Sequence, residues 1–216
     1  MENKRIIKSR KLMFIGALLA VIMMTTVGPT LSWISNSTDP VVNTFEGGKI
    51  TLKLDEALVD SDGKAVVGDG AQRVAENTYK YVAGEVLDKD PTVTVLSGSE
   101  DCYVFVCAEN ELNELFTIDY NTSEWLQVAQ DGNKTVYAYK AAVKTSDEDT
   151  VLTPLFTTVT VSDELTAEDV ESLGEKTISI TAFAVQAKSI TSQEAVDLAV
   201  AQFIDGGTAD NYPAIG

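Results

Sequence analysis

Asp101-Cys102-Tyr103-Val104-Phe105-Val106-Cys107 decides the reading of the fold. A half-buried strand alternates apolar and polar side chains, because successive residues point to opposite faces. From Cys102 to Cys107 there is no such alternation: every residue is apolar or aromatic. The run therefore reads as a central strand with a packed layer on each side. Its two thiols, Cys102 and Cys107, are five positions apart. An odd separation sends them to opposite faces, with α-carbons beyond the ~7 Å limit for a disulfide. Both are expected to be free, small and buried.

Outward from this strand, residues 136–143 have the same two-faced character. Half-buried strands are predicted where Ile50-Leu52-Leu54 alternates with Thr51 and Lys53, at Val93-Val95, and at Phe116-Ile118-Tyr120. Further strands are expected at 125–128, 156–161 and 177–185. Turn residues separate these runs: Asp62-Gly63, Gly68-Asp69-Gly70, Ser97-Gly98-Ser99 and Asp131-Gly132-Asn133. The last joins 125–130 to 134–140 as a β-hairpin. Thr166 followed by Glu168 and Asp169 opens a short helix ending at Gly174, and Thr191-Ser192-Gln193-Glu194 is a capping box for a second over 195–203, ending at Gly206-Gly207. The expected fold is mainly β: an antiparallel, jelly-roll-like β-sandwich with one or two short helices, spanning 45–205. A loose tail over 206–216 is expected to follow it.

Ahead of the sandwich, Lys4, Arg5, Lys8, Arg10 and Lys11 precede an apolar run from Leu12 to Val27, which breaks at Gly28-Pro29. That order defines a secretory signal over 1–32, with cleavage expected between Ser32 and Trp33. The apolar run is short against the roughly 20 residues that span a bilayer. Contact with the membrane is thus expected only through the uncleaved leader. The whole chain carries 16 basic and 33 acidic residues, for a net charge of −17. Loss of the leader removes five basic residues and one acidic residue and deepens the charge to −21. Such a surface disfavours nucleic acid and favours solubility.

Chemistry-bearing motifs are scarce. Histidine is absent, which removes the usual general base of hydrolases and the commonest zinc ligand. No glycine-rich phosphate loop is present. Asp60-Ser61-Asp62-Gly63 has the start of a calcium loop but lacks its later ligands, so it reads as an Asp-Gly turn. Tyr79, Tyr81, Trp125, Tyr137 and Tyr139 could offer a sugar-stacking face, although core packing accounts for them more simply. Neither a catalytic residue, a metal ligand nor a cofactor is expected.

Trp33-Ile34-Ser35-Asn36, followed by Asn43-Thr44-Phe45-Glu46-Gly47-Gly48-Lys49-Ile50, resembles the mature start of the TasA/CalY (camelysin) family. Gly84-Glu85-Val86-Leu87-Asp88-Lys89-Asp90-Pro91 is similar to that family's Pro-Gly…Lys-Asp-Pro segment, and Asp101-Cys102-Tyr103-Val104 to the strand after it. Ile180 to Ala187 resembles a late family strand. Two departures are Ala83 in place of proline before Gly84, and Ile34-Ser35-Asn36 after the cut.

The resemblance implies a leader removed by a SipW-like signal peptidase. It also implies a secreted subunit of a cell-surface or biofilm-matrix fibre that self-associates through an N-terminal donor strand. The arm is 33–44, with Trp33, Ile34, Val41 and Val42 as its apolar contacts. Camelysin-type members are classed as metalloendopeptidases, an activity that a chain without histidine is not expected to have. A monomeric surface adhesin is the other alternative.

Overall fold

The computed structural model describes residues 35–38 as backbone, together with 49–210 and 212–216. In chain order the elements are β1 (Ser35–Thr38), β2 (Leu52–Ala57), β3 (Arg73–Val74), β4 (Val86–Asp88), β5 (Thr92–Val95), β6 (Cys102–Asn110) and β7 (Phe116–Ile118). There follow β8 (Trp125–Asp131), β9 (Lys134–Tyr139), β10 (Thr150–Val151), β11 (Thr158–Val161), α1 (Ala167–Leu173), β12 (Ile178–Gln186) and α2 (Ser192–Phe203).

Among the described residues three sheets are formed, with orders β1-β12-β6-β9-β8, β10-β5-β2-β3 and β4-β11-β7. The long pairings are antiparallel: β6 lies against β12 from Cys102↔Gln186 to Asn110↔Ile178, and against β9 from Phe105↔Ala138 to Glu109↔Lys134. The main core is the space between layers. Val104, Val106, Ala182 and Ala184 of the five-stranded sheet meet Leu52, Val93 and Val95 of the four-stranded sheet, with Phe156 and Val159 beside them. This is an antiparallel β-sandwich, mainly β, with two α-helices among the described residues.

The two-faced pattern of 102–107 has its cause in α2. Ala195, Val196, Ala199 and Val200 of that helix are buried, and the helix packs on β6, β8, β9 and β12. Phe183 on the outer face of β12 meets Phe203 of the helix at 6.0 Å between ring centroids. One face of the large sheet thus looks into the sandwich and the other under a helix, so residues 104–108 of β6 are buried on both faces. Both helices start as their sequences dictate: the Thr166 and Thr191 side chains accept from the backbone N–H of Asp169 and Glu194, whose carboxylates reach back to the cap.

The expected hairpin is present, with Asp131 opposite Lys134 and Gly132 at φ 57° in its turn. A bulge between Gln127 and Ala129 bends β8. Two points of the C-terminal segment are tied to this hairpin: the N–H of Asp210 donates to the Val128 carbonyl at 2.6 Å, and that of Gly216 to the Lys140 carbonyl at 3.1 Å. Ile215 is buried. The short strands β3, β4 and β10 add to those expected from the sequence, and no helix among the described residues is long and apolar enough to cross a membrane.

Candidate functional site

Two places gather residues singled out above: the edge where β1 lies, and the charged corner built by β2, β3 and the turn after β4. Ser35–Thr38 takes the outermost position of the five-stranded sheet, next to β12. A β-edge is a row of unpaired backbone groups that another strand can complete. Ser32, Trp33, Ile34, Val41, Val42, Asn43, Phe45 and Gly48, which carry the cleavage site, the apolar arm contacts and part of the family motif, lie outside the described residues.

Of the remaining motif residues, Lys89, Asp90 and Pro91 fall at the charged corner, whereas Gly84 lies ahead of β4, beside the chain that follows β11, with its N–H donating to the Ser162 carbonyl at 3.3 Å. Gly84 has φ 79°, a left-handed conformation that glycine alone adopts without strain, and a Cβ there would collide with the Asp163 carboxylate. Pro91 is buried and starts the run into β5. Asp90 accepts from the Ala57 N–H at 2.7 Å and from Arg73 Nη1 at 2.5 Å. Arg73 Nε donates to Asp55 at 2.8 Å, and Lys53 Nζ lies 2.6 Å from the same carboxylate. Burial pulls the Arg73 guanidinium down, but the hydrogen bonds and charges of Asp55 and Asp90 outweigh it and raise its pKa.

Deeper in, Lys89 Nζ sits 2.5 Å from Glu56 Oε2, with side chains only 13% and 6% exposed. The other carboxylate oxygen of Glu56 accepts from Asn77 Nδ2 at 3.0 Å. Asn77 is itself fixed to the chain after β2, donating to the Ala57 carbonyl at 2.8 Å and accepting from the Val59 N–H at 3.1 Å. Tyr79 donates to the Asp88 carbonyl, and its ring lies 5.6 Å below Lys89 Nζ. Burial, followed by the negative charge of Glu56, pushes the Tyr79 phenol well above its ordinary range. A cleft of about 570 Å³ opens beside this group, with Leu54, Leu87, Pro91 and Ile180 among its apolar lining and Tyr79, Tyr81 and Lys176 among its polar lining.

Among the aromatics considered for sugar stacking, only Tyr79 and Tyr81 line the cleft. Tyr81 meets Phe116 edge-on, at 5.3 Å. Trp125 and Tyr137 are buried in the sandwich, and Tyr139 packs against Trp125 at 5.1 Å. Core packing accounts for those three. Cys102 and Cys107 are free and buried; Cys102 lies in the main core, and burial pushes the thiols up to about 12 and about 11. Asp60 Oδ1 accepts from the N–H groups of Asp62 and Lys64, the geometry of a simple turn. Among the described residues no three Asp, Glu, Cys or His side chains converge where they could hold a metal.

Asp55, Glu56, Arg73 and Asn77 were not singled out from the sequence. One signal for Glu56 was there: it keeps the parity of Leu52 and Leu54 on β2, so a carboxylate occupies an inward register position. No family model, no curated protein and no solved structure matches this chain.

Proposed function

We propose that the chain is a secreted structural subunit of a cell-surface or biofilm-matrix filament, assembled by exchange of its N-terminal strand. The observation that carries this reading is the place of β1: a short strand close to the expected cleavage point occupies an outer edge of the largest sheet, beside β12. A terminal strand at an edge can pair with β12 of its own chain or with β12 of a neighbour through the same backbone hydrogen bonds. Head-to-tail exchange gives an open filament when the rotation between subunits does not close into a ring, the geometry this reading requires. The leader, while attached, holds this terminus at the membrane. Its removal by a SipW-like signal peptidase frees residues 33–44, and Trp33, Ile34, Val41 and Val42 add apolar burial to the strand pairing. The protein acts as a building unit, not as an enzyme. Electron microscopy of the purified mature chain tests the reading: fibres support it, and a monodisperse monomer at all concentrations contradicts it in favour of a surface adhesin.

A further inference from the structure

Lys89, Glu56 and Asn77 hold the parts of a reaction that the filament reading does not use. We propose that these three residues form a self-processing cross-link site, in which Lys89 Nζ displaces the side-chain nitrogen of Asn77. The product is an amide bond within the chain, and ammonia is released.

Such a reaction needs an amine held away from bulk water, a polarised carboxamide, and a proton carrier that reaches both nitrogens. Lys89 Nζ is 2.5 Å from Glu56 Oε2 and nearly enclosed. Asn77 Nδ2 is 3.0 Å from Oε1 of the same carboxylate. One carboxylate therefore touches the nitrogen that gains the bond and the nitrogen that loses it. The orientation of the carboxamide is fixed by its partners, since the Val59 N–H requires an oxygen and the Ala57 carbonyl requires a nitrogen. The Val59 N–H thereby points at the atom on which negative charge develops, as an oxyanion donor does. The ring of Tyr79, 5.6 Å from Lys89 Nζ, adds a cation–π contact to the Lys89 head. The proposed attack requires Nζ to leave the carboxylate for Asn77 Cγ by a turn about the flexible outer bonds of the Lys89 side chain.

The protons balance through Glu56. Its carboxylate takes one proton from the Lys89 ammonium, and the freed electron pair of Nζ forms the bond to Asn77 Cγ, placing charge on Oδ1. Glu56 returns its proton to Nδ2 as the Cγ–Nδ2 bond breaks, and then takes the second proton from Nζ. The products are a neutral amide, ammonia and a protonated Glu56, which loses its proton to the departing ammonia. Glu56, Asn77, Tyr79 and Lys89 all line the 570 Å³ cleft, which gives ammonia a way out.

The test is the intact mass of the purified full chain under denaturing conditions, followed by a tryptic map. The expected mass is one ammonia below that of the chain starting at its observed N-terminus. Trypsin should cut after Lys80 but not after Lys89, leaving fragments 74–80 and 81–134 joined. Lys89→Arg, which keeps the charge facing Glu56, should restore the sequence mass and release fragment 74–80, and Glu56→Gln should leave the amide unformed. A wild-type chain of unaltered mass that yields free fragment 74–80 overturns the proposal whatever the variants do. So does an ammonia loss that persists in Lys89→Arg.

Discussion

Replacing Phe183 by alanine tests the claim that a helix forms a third layer over the sandwich. The ring is 1% exposed, between the outer face of the five-stranded sheet and α2. Its centroid is 6.3 Å from Phe105 and 6.0 Å from Phe203. Deleting a buried phenylalanine in a packed site costs about 3–5 kcal/mol, the lost transfer energy plus the cavity left behind. Within that sum the two ring contacts contribute about 0.5–1.5 kcal/mol each. For a urea slope of about 2 kcal/mol per molar, a loss of about 4 kcal/mol lowers the unfolding midpoint by about 2 M. Circular dichroism in a urea titration reads it directly. Phe203 is only half-buried, so Phe203→Ala should cost less. The double variant should fall short of additivity by about 0.5–1.5 kcal/mol, the worth of the shared ring contact. A Phe183→Ala loss below about 1 kcal/mol, or strict additivity with Phe203→Ala, would refute the packing of α2 against β12.

Gly84→Ala should destabilise by about 1–2 kcal/mol from backbone strain at φ 79°, and Asp163→Ala should not relieve it, because that carboxylate can swing aside while the backbone cannot. A thermal melt of the two single variants and the double variant checks this. Cys102 and Cys107 should resist a thiol reagent at pH 8 until the protein is unfolded. Their folded pKa values, raised by burial to about 12 and about 11, exceed the ordinary 9.0, so the unfolded chain ionises first and stability should fall as the pH rises above 9.0. Urea midpoints measured from pH 8 upward test the sign. N-terminal sequencing of secreted material should begin at Trp33, and a start outside residues 31–35 would contradict the leader assignment.

Much of the sandwich could be read because its long strands carry local signals. The apolar run of β6 announced two packed layers, although its sequence could not tell that one of them is the helix α2. The hairpin at Gly132 and the threonine caps of both helices were legible for the same reason: each is decided by residues within a few positions. β3, β4 and β10 have only two or three residues each, too few to establish a period, and they exist because longer partners supply a ladder. The charged corner is non-local. Glu56 and Lys89 are brought together by the turn after β4, and Asp55 meets Arg73 across β2 and β3. The Lys-Asp-Pro run marked the place, yet nothing in it named Glu56 or Asn77 as partners among so many carboxylates and amides.

Removal of residues 33–42 from the mature chain is the measurement that tests strand exchange most directly, with electron microscopy and circular dichroism read on the same sample. The expected result is a folded, β-rich protein that forms no fibres, because the donor strand is gone while the sandwich core of β2, β5, β6 and β12 is untouched. Fibres indistinguishable from those of the intact mature chain would contradict it, and an unfolded variant would show that the strand belongs to the sheet of its own chain.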